Sequence, residues 1–179
     1  MLKSLIRLTP LLALLSTSCQ GGPAVPTDKP RLNVRFLYGF CNDLVAMRRF
    51  YSEVVGLKEG SFKDEPQFGW LVYECEGFQF MFFRSDKPLP VSAEFADQPG
   101  EDGGTLCAIS WSVEVPEADY PAAVGRILSS GARTQAPTPT WRQKSYWGFT
   151  VLDPMGNTVE VYSKPKEKPA STTWPAGKS

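Results

Sequence analysis

The sequence predicts an α+β domain over residues 31–163, built from two βαβββ modules. The modules pair into a curved mixed sheet, with helices outside and a concave groove inside. Three observations predict this. The order strand, helix, strands occurs twice, over residues 31–85 and again over 106–163. Each helix candidate carries one apolar face and ends at a glycine. Neither half can bury its own sheet face alone, so the two must share a core.

In the first module, residues 34–41 (VRFLYGFC) are apolar, aromatic and β-branched, the pattern of a strand. Asn42 or Asp43 then caps a helix. Met47, Phe50, Tyr51 and Val54 give that helix one apolar face, and Gly56 closes it. After a polar stretch, SFKDEPQ, come the strand-like runs WLVYEC and FQFMFF, joined by a tight turn at Glu76-Gly77. The second module repeats the order. AISWSVEV forms a strand, and Pro116-Glu117 lead into a helix. Tyr120, Val124, Ile127 and Leu128 are its apolar face, Pro121 belongs to its first turn, and Gly131 ends it. WGFTVL and TVEVY follow as strands, joined by the turn Asp153-Pro154-Met155-Gly156-Asn157.

The ends read differently. Lys3 and Arg7, a short apolar run from Leu8 to Leu15, and small residues up to Cys19 form an export signal over residues 1–19. The apolar run is too short for a membrane-spanning helix. A signal ending on cysteine resembles the bacterial lipoprotein signal, although Ser16 stands where that motif has Leu, Val or Ile. The resemblance implies lipidation of Cys19 and a tether to the outer membrane or cell surface. Residues 20–30 are a Gly- and Pro-rich linker. Residues 164–179 are polar and Pro-rich, read as a disordered tail holding a lone Trp174.

Composition narrows the chemistry. Nineteen basic residues balance nineteen acidic ones without blocks of like charge, so nucleic acid is not an expected partner. The chain has no histidine. Ser-His and Cys-His nucleophile pairs and imidazole metal sites are therefore excluded. Cys41, Cys75 and Cys107 lie in apolar strand contexts and read as buried thiols, with one disulfide plus one free thiol as the alternative.

Asn42-Asp43-Leu44, Phe50-Tyr51 and Val55-Gly56-Leu57 resemble the opening motif of the vicinal oxygen chelate superfamily, which comprises glyoxalase, bleomycin resistance and extradiol dioxygenase proteins. Asp153-Pro154-Met155-Gly156-Asn157 with Val159-Glu160-Val161 resembles its closing motif. In metal-using members each module supplies a ligand from its first and its last strand. Those positions fall here on Phe36, Met81, Ser110 and Glu160. Phe, Met and Ser are poor donors for a hard cation, so neither a metal nor another cofactor is expected.

Strand alternation groups the candidate ligand-binding residues. Phe36, Tyr38 and Phe40 share a face, as do Gln79, Met81 and Phe83. These form an aromatic wall. Ser110, Ser112 and Glu114 align, as do Thr158, Glu160 and Tyr162, to form a polar wall. Such walls suit an amphipathic small molecule; the alternative is that the aromatics fill the groove themselves or pack a dimer. Glu160 requires a partner if buried, and Arg35, Arg133 and Arg142 are candidates. The expected function is an envelope-exposed, non-catalytic small-molecule binder, as a monomer or a homodimer. The alternatives are a lyase- or dioxygenase-like enzyme in which Glu160 is the catalytic candidate with an atypical metal, and an interaction module of the cell envelope.

Overall fold

A computed structural model describes residues 34–98, 104–105 and 109–175. The signal, Cys19, the linker over residues 20–30 and Cys107 lie outside the described residues. No helix among the described residues is long and apolar enough to cross a membrane.

The first module runs β1 (Phe36–Cys41), α1 (Leu44–Arg48) continued by π-helical turns (Arg49–Val55), β2 (Glu59–Glu65), β3 (Phe68–Cys75) and β4 (Phe78–Arg84). The second runs β5 (Ser110–Glu114), α2 (Tyr120–Ser130), β6 (Thr140–Arg142), β7 (Tyr146–Leu152) and β8 (Thr158–Ser163). Each module makes a four-stranded mixed sheet of the same topology, β1-β4-β3-β2 and β5-β8-β7-β6. In each, the first strand lies parallel to the last and at the sheet edge. The two four-stranded mixed sheets with few helices make up the α+β fold expected from the sequence, and no strand pair joins them among the described residues.

Asp43 is the residue that caps α1, its Oδ1 accepting from Ala46 N at 2.9 Å. Asn42 instead holds the inter-module linker, bonding both the N–H and the C=O of Leu89. The inward residues of the first helix are Leu44, Met47, Phe50, Tyr51 and Val55. The sequence places Val54 on that face. The π-helical turns hold more residues per turn, which advances the buried position by one. Gly56, at φ 95°, then ends the helix in the left-handed conformation that suits glycine. In α2 the buried residues are Tyr120, Ala123, Val124 and Ile127, while Leu128 is exposed. Arg126 of α2 bonds the carbonyls of Val54 and Val55, filling acceptors that the end of the first helix leaves open.

One core serves both modules. Tyr51, fully buried, has its ring centroid 5.0 Å from Phe82, 5.5 Å from Phe80 and 5.8 Å from Tyr73. Trp111 crosses from β5 to sit 5.1 Å from Phe80 and 6.2 Å from Phe82. The Tyr51 hydroxyl donates to Asp153 Oδ2 at 2.8 Å. Asp153 Oδ1 in turn accepts from the backbone N–H groups of Met155 and Asn157. The opening and closing motifs are therefore one hydrogen-bonded unit across the two modules.

Residues 164–175 follow β8 without helix or strand. Trp174 stands edge-to-face on Tyr120 at 5.4 Å and on Trp147 at 5.2 Å. Cys41 and Cys75 are free thiols. Cys41 is fully buried and Cys75 only partly so, the latter differing from the sequence expectation because it ends its strand at the Gly77 turn.

Candidate functional site

The register of the first sheet assembles the aromatic wall. Phe36 lies opposite Gln79, Tyr38 opposite Met81 and Phe40 opposite Phe83. The hairpin at Gly77 continues these rows onto β3, setting Val72 beside Met81 and Trp70 beside Phe83. Rings touch along the face: Tyr38–Phe83 at 5.8 Å, Tyr38–Phe40 at 6.0 Å, Phe68–Phe83 at 6.3 Å and Phe68–Trp70 at 4.8 Å. Phe36 and Tyr38 are each 53% exposed, Phe40 55% and Phe68 49%. A contiguous stripe of half-open aromatic rings is uncommon on a monomer surface and marks a place of contact. Phe68 and Trp70 were absent from the sequence expectation. The hairpin register around Glu76-Gly77 is the signal that would have added them.

The polar wall is closed on itself. Ser112 lies opposite Glu160, and Glu160 opposite Thr150. Glu160 Oε1 accepts from Arg142 Nη1 at 2.7 Å and from the Tyr146 hydroxyl at 3.1 Å; Oε2 accepts from Ser112 Oγ at 3.1 Å. Arg142 also donates to Thr140 and Thr150. The side chains of Arg142 and Glu160 are 2% and 11% exposed. The guanidinium reaches the carboxylate because position 148 is glycine: a Cβ there would come within 2.8 Å of Arg142 Nε and Glu160 Oε1. Of the three arginines the sequence offered, Arg142 is the partner. Arg133 instead bonds the Ala93 carbonyl and lies over the Phe95 ring. Strand alternation also divides the Trp141–Trp147 cluster. Arg142 and Tyr146 join Glu160, whereas Trp141 stands edge-to-face on Trp147 at 5.2 Å.

The outer polar residues are likewise occupied. Ser110 Oγ accepts from Gln98 of the linker at 2.6 Å, and Glu114 accepts from the Tyr162 hydroxyl at 3.0 Å. Burial, and the neighbouring Glu114, hold the Tyr162 phenol above its ordinary value. Both walls lie on sheet faces turned away from the shared core.

The residues that the resemblance places at the family's metal positions are poor donors for a hard cation. Phe36 has no donor atom and Met81 offers only a soft thioether. Ser110 is bonded to Gln98, and the Glu160 carboxylate accepts from three donors, one of them a cation. Among the described residues, no group of three or more Cys, Asp or Glu side chains is placed to hold a metal ion.

The glyoxalase-like domain family matches residues 36–162. Three solved structures illustrate the likeness in fold. The oxidase ChaP-H2 aligns at 17% identity and TM-score 0.55, over 75% of this chain and 94% of its own. A glyoxylase/bleomycin resistance protein/dioxygenase domain from Frankia sp. EAN1pec aligns at 20% identity and TM-score 0.51, over 76% and 100%. Lactoylglutathione lyase from Agrobacterium tumefaciens aligns at 19% identity and TM-score 0.50, over 75% and 96%. No curated protein sequence matches the chain. With its doubled module and its joined opening and closing motifs, the chain belongs to the glyoxalase-like domain family of the vicinal oxygen chelate superfamily.

Proposed function

We propose that this protein is a non-catalytic small-molecule binder of the glyoxalase/bleomycin resistance type that has lost the family metal site. One observation carries the reading: the single carboxylate at a family ligand position, Glu160, is neutralised by a buried arginine. The open aromatic face, Phe36, Tyr38, Phe40, Met81 and Phe83 with Gln79 at its end, is the binding surface in this reading. It suits a planar apolar ligand, each ring stacking at modest gain beyond its buried area. Catalysis by Glu160 is disfavoured because a base must be free to take a proton, and this carboxylate is already engaged by a buried cation and two hydroxyls. Calorimetric and thermal-shift screening with planar aromatic and amphipathic cationic compounds tests the proposal. A stabilising compound whose effect is lost in Tyr38→Ala supports it; no shift across a broad library, or turnover dependent on added metal, opposes it.

The same reading favours a homodimer. β1 and β5 are both open sheet edges, and a half-exposed aromatic edge strand is prone to pairing. A second copy that covers β1 brings another surface against the aromatic face. Sedimentation velocity checks this, with a monomer at micromolar concentration as the opposing result. For location, lipid attachment at Cys19 would tether the domain to the bacterial envelope. Cys19→Ser should release it from the membrane fraction, and unchanged fractionation would count against the anchor.

A further inference from the structure

A cavity of about 300 Å³ lies on the second module, away from the aromatic face, roofed by the chain after β8. Its floor is the helix-facing side of the sheet and the start of α2. Tyr120, Trp147 and Trp174 contribute aromatic walls, with Trp174 edge-to-face to both of the others. Glu117 and Glu167 stand among the lining residues, and no lysine or arginine is among the described residues that line it. Glu117 spends one carboxylate oxygen on the backbone N–H of Lys166, which fixes the roof to the entry of α2. Ser163 also lines the cavity; it is 2% exposed, and its Oγ has no hydrogen-bond partner among the described residues. A buried hydroxyl without a partner is costly, and its place beside Trp147 in the β7–β8 register points to a missing polar group at this spot.

We propose that this cavity is a second binding site, for a small organic cation of the alkylammonium class carrying a hydroxyl or similar polar group. Aromatic faces attract a cation through their quadrupole, and the two lining carboxylates add negative charge. The volume matches a molecule the size of choline better than a drug-sized ligand. The Ser163 hydroxyl supplies the partner for the ligand's polar end. The residue that completes the site, Trp174, comes from the tail and not from the repeated module, so the site belongs to this chain's own extension.

The test is titration of the full chain with choline and with its neutral carbon analogue, 3,3-dimethyl-1-butanol, followed by tryptophan fluorescence and calorimetry. Choline should saturate with an affinity about tenfold or more above that of the neutral analogue. Trp174→Ala and, separately, Glu167→Gln should each weaken choline at least severalfold with unchanged circular dichroism, while Phe40→Ala on the first sheet leaves it intact. Equal affinity for the two probes, no saturation, or loss of choline in Phe40→Ala but not in Trp174→Ala overturns the proposal. The last pattern would place the cation on the aromatic face and leave the earlier functional reading standing.

Discussion

Replacing Arg142 by methionine strips the charge from the pair that closes the polar wall while keeping most of its volume. Glu160 then keeps the Tyr146 and Ser112 hydroxyls, at 3.1 Å each, and loses the guanidinium at 2.7 Å. Removing one partner of a buried pair costs about 3–5 kcal/mol in general, because an uncompensated charge stays behind. The two remaining hydrogen bonds and the 11% exposure of Glu160 place this case near the lower end, about 3 kcal/mol. For a chain of this size that corresponds to a fall in Tm of roughly 6–12 °C. Arg142→Met/Glu160→Gln removes both charges, so it should recover most of the loss and lie within about 1 kcal/mol of the parent protein. Urea unfolding at neutral pH of the parent, both single variants and the double variant gives the coupling directly. A single-variant loss under about 0.5 kcal/mol, or strictly additive losses, would refute the claim that this pair is a closed, buried unit.

Three other perturbations test separate parts of the structure. Burial holds the Asp153 carboxyl above the ordinary aspartate value of 3.8, and donors including the Tyr51 hydroxyl pull it back. An acid with a raised folded pKa costs stability only where it is ionised. That cost is absent below its unfolded pKa and complete above its folded one. Tyr51→Phe removes a donor to the ionised form, so its loss should be about 1.5–3 kcal/mol at pH 7 and clearly smaller near pH 4, read from paired denaturant curves; a pH-independent loss would contradict this. The turn between β6 and β7 holds Gln143 at φ 48° and Lys144 at φ 56°. Lys144→Gly should relieve this left-handed backbone and raise stability by up to about 1 kcal/mol, and a destabilised variant would show that the side chain contributes more than the strain. Burial pushes the Cys41 thiol up to about 11, and Cys75 is raised with less burial. In the native protein at mildly alkaline pH, Cys75→Ser should therefore remove more of the fast reaction with an aromatic disulfide reagent than Cys41→Ser, and the reverse order would oppose the assigned burial.

The internal repeat was legible because each module's apolar strands alternate around a helix with a glycine stop. Glu59–Glu65 and Thr140–Arg142 were not read as strands. They are edge strands, polar or only three residues long, and carry little of the apolar pattern that marks a strand. Ideal α-helical winding puts Val54 on the buried face; the π-helical turns leave it half-buried against the core and bury Val55. The facing residues within each wall followed from period-two alternation alone. How the walls stand to one another did not, since that depends on which strand edges pair, and side-chain pattern says nothing of the backbone at β1 and β5. Glu160 needed a cation by its burial, but choosing Arg142 among three arginines required the turn at 143–144 and the absent side chain at Gly148. Trp174 was visible only as an isolated apolar residue, because its partners Tyr120 and Trp147 are distant in sequence.

Binding without the family's metal is the role proposed for this glyoxalase-like fold. Its most direct test is elemental analysis of the full chain purified without chelators and re-equilibrated with Mn, Fe, Ni and Zn salts. The account predicts substoichiometric content of every metal after buffer exchange, unchanged in Glu160→Gln. One equivalent of a divalent metal retained by the parent protein and lost in Glu160→Gln would contradict it.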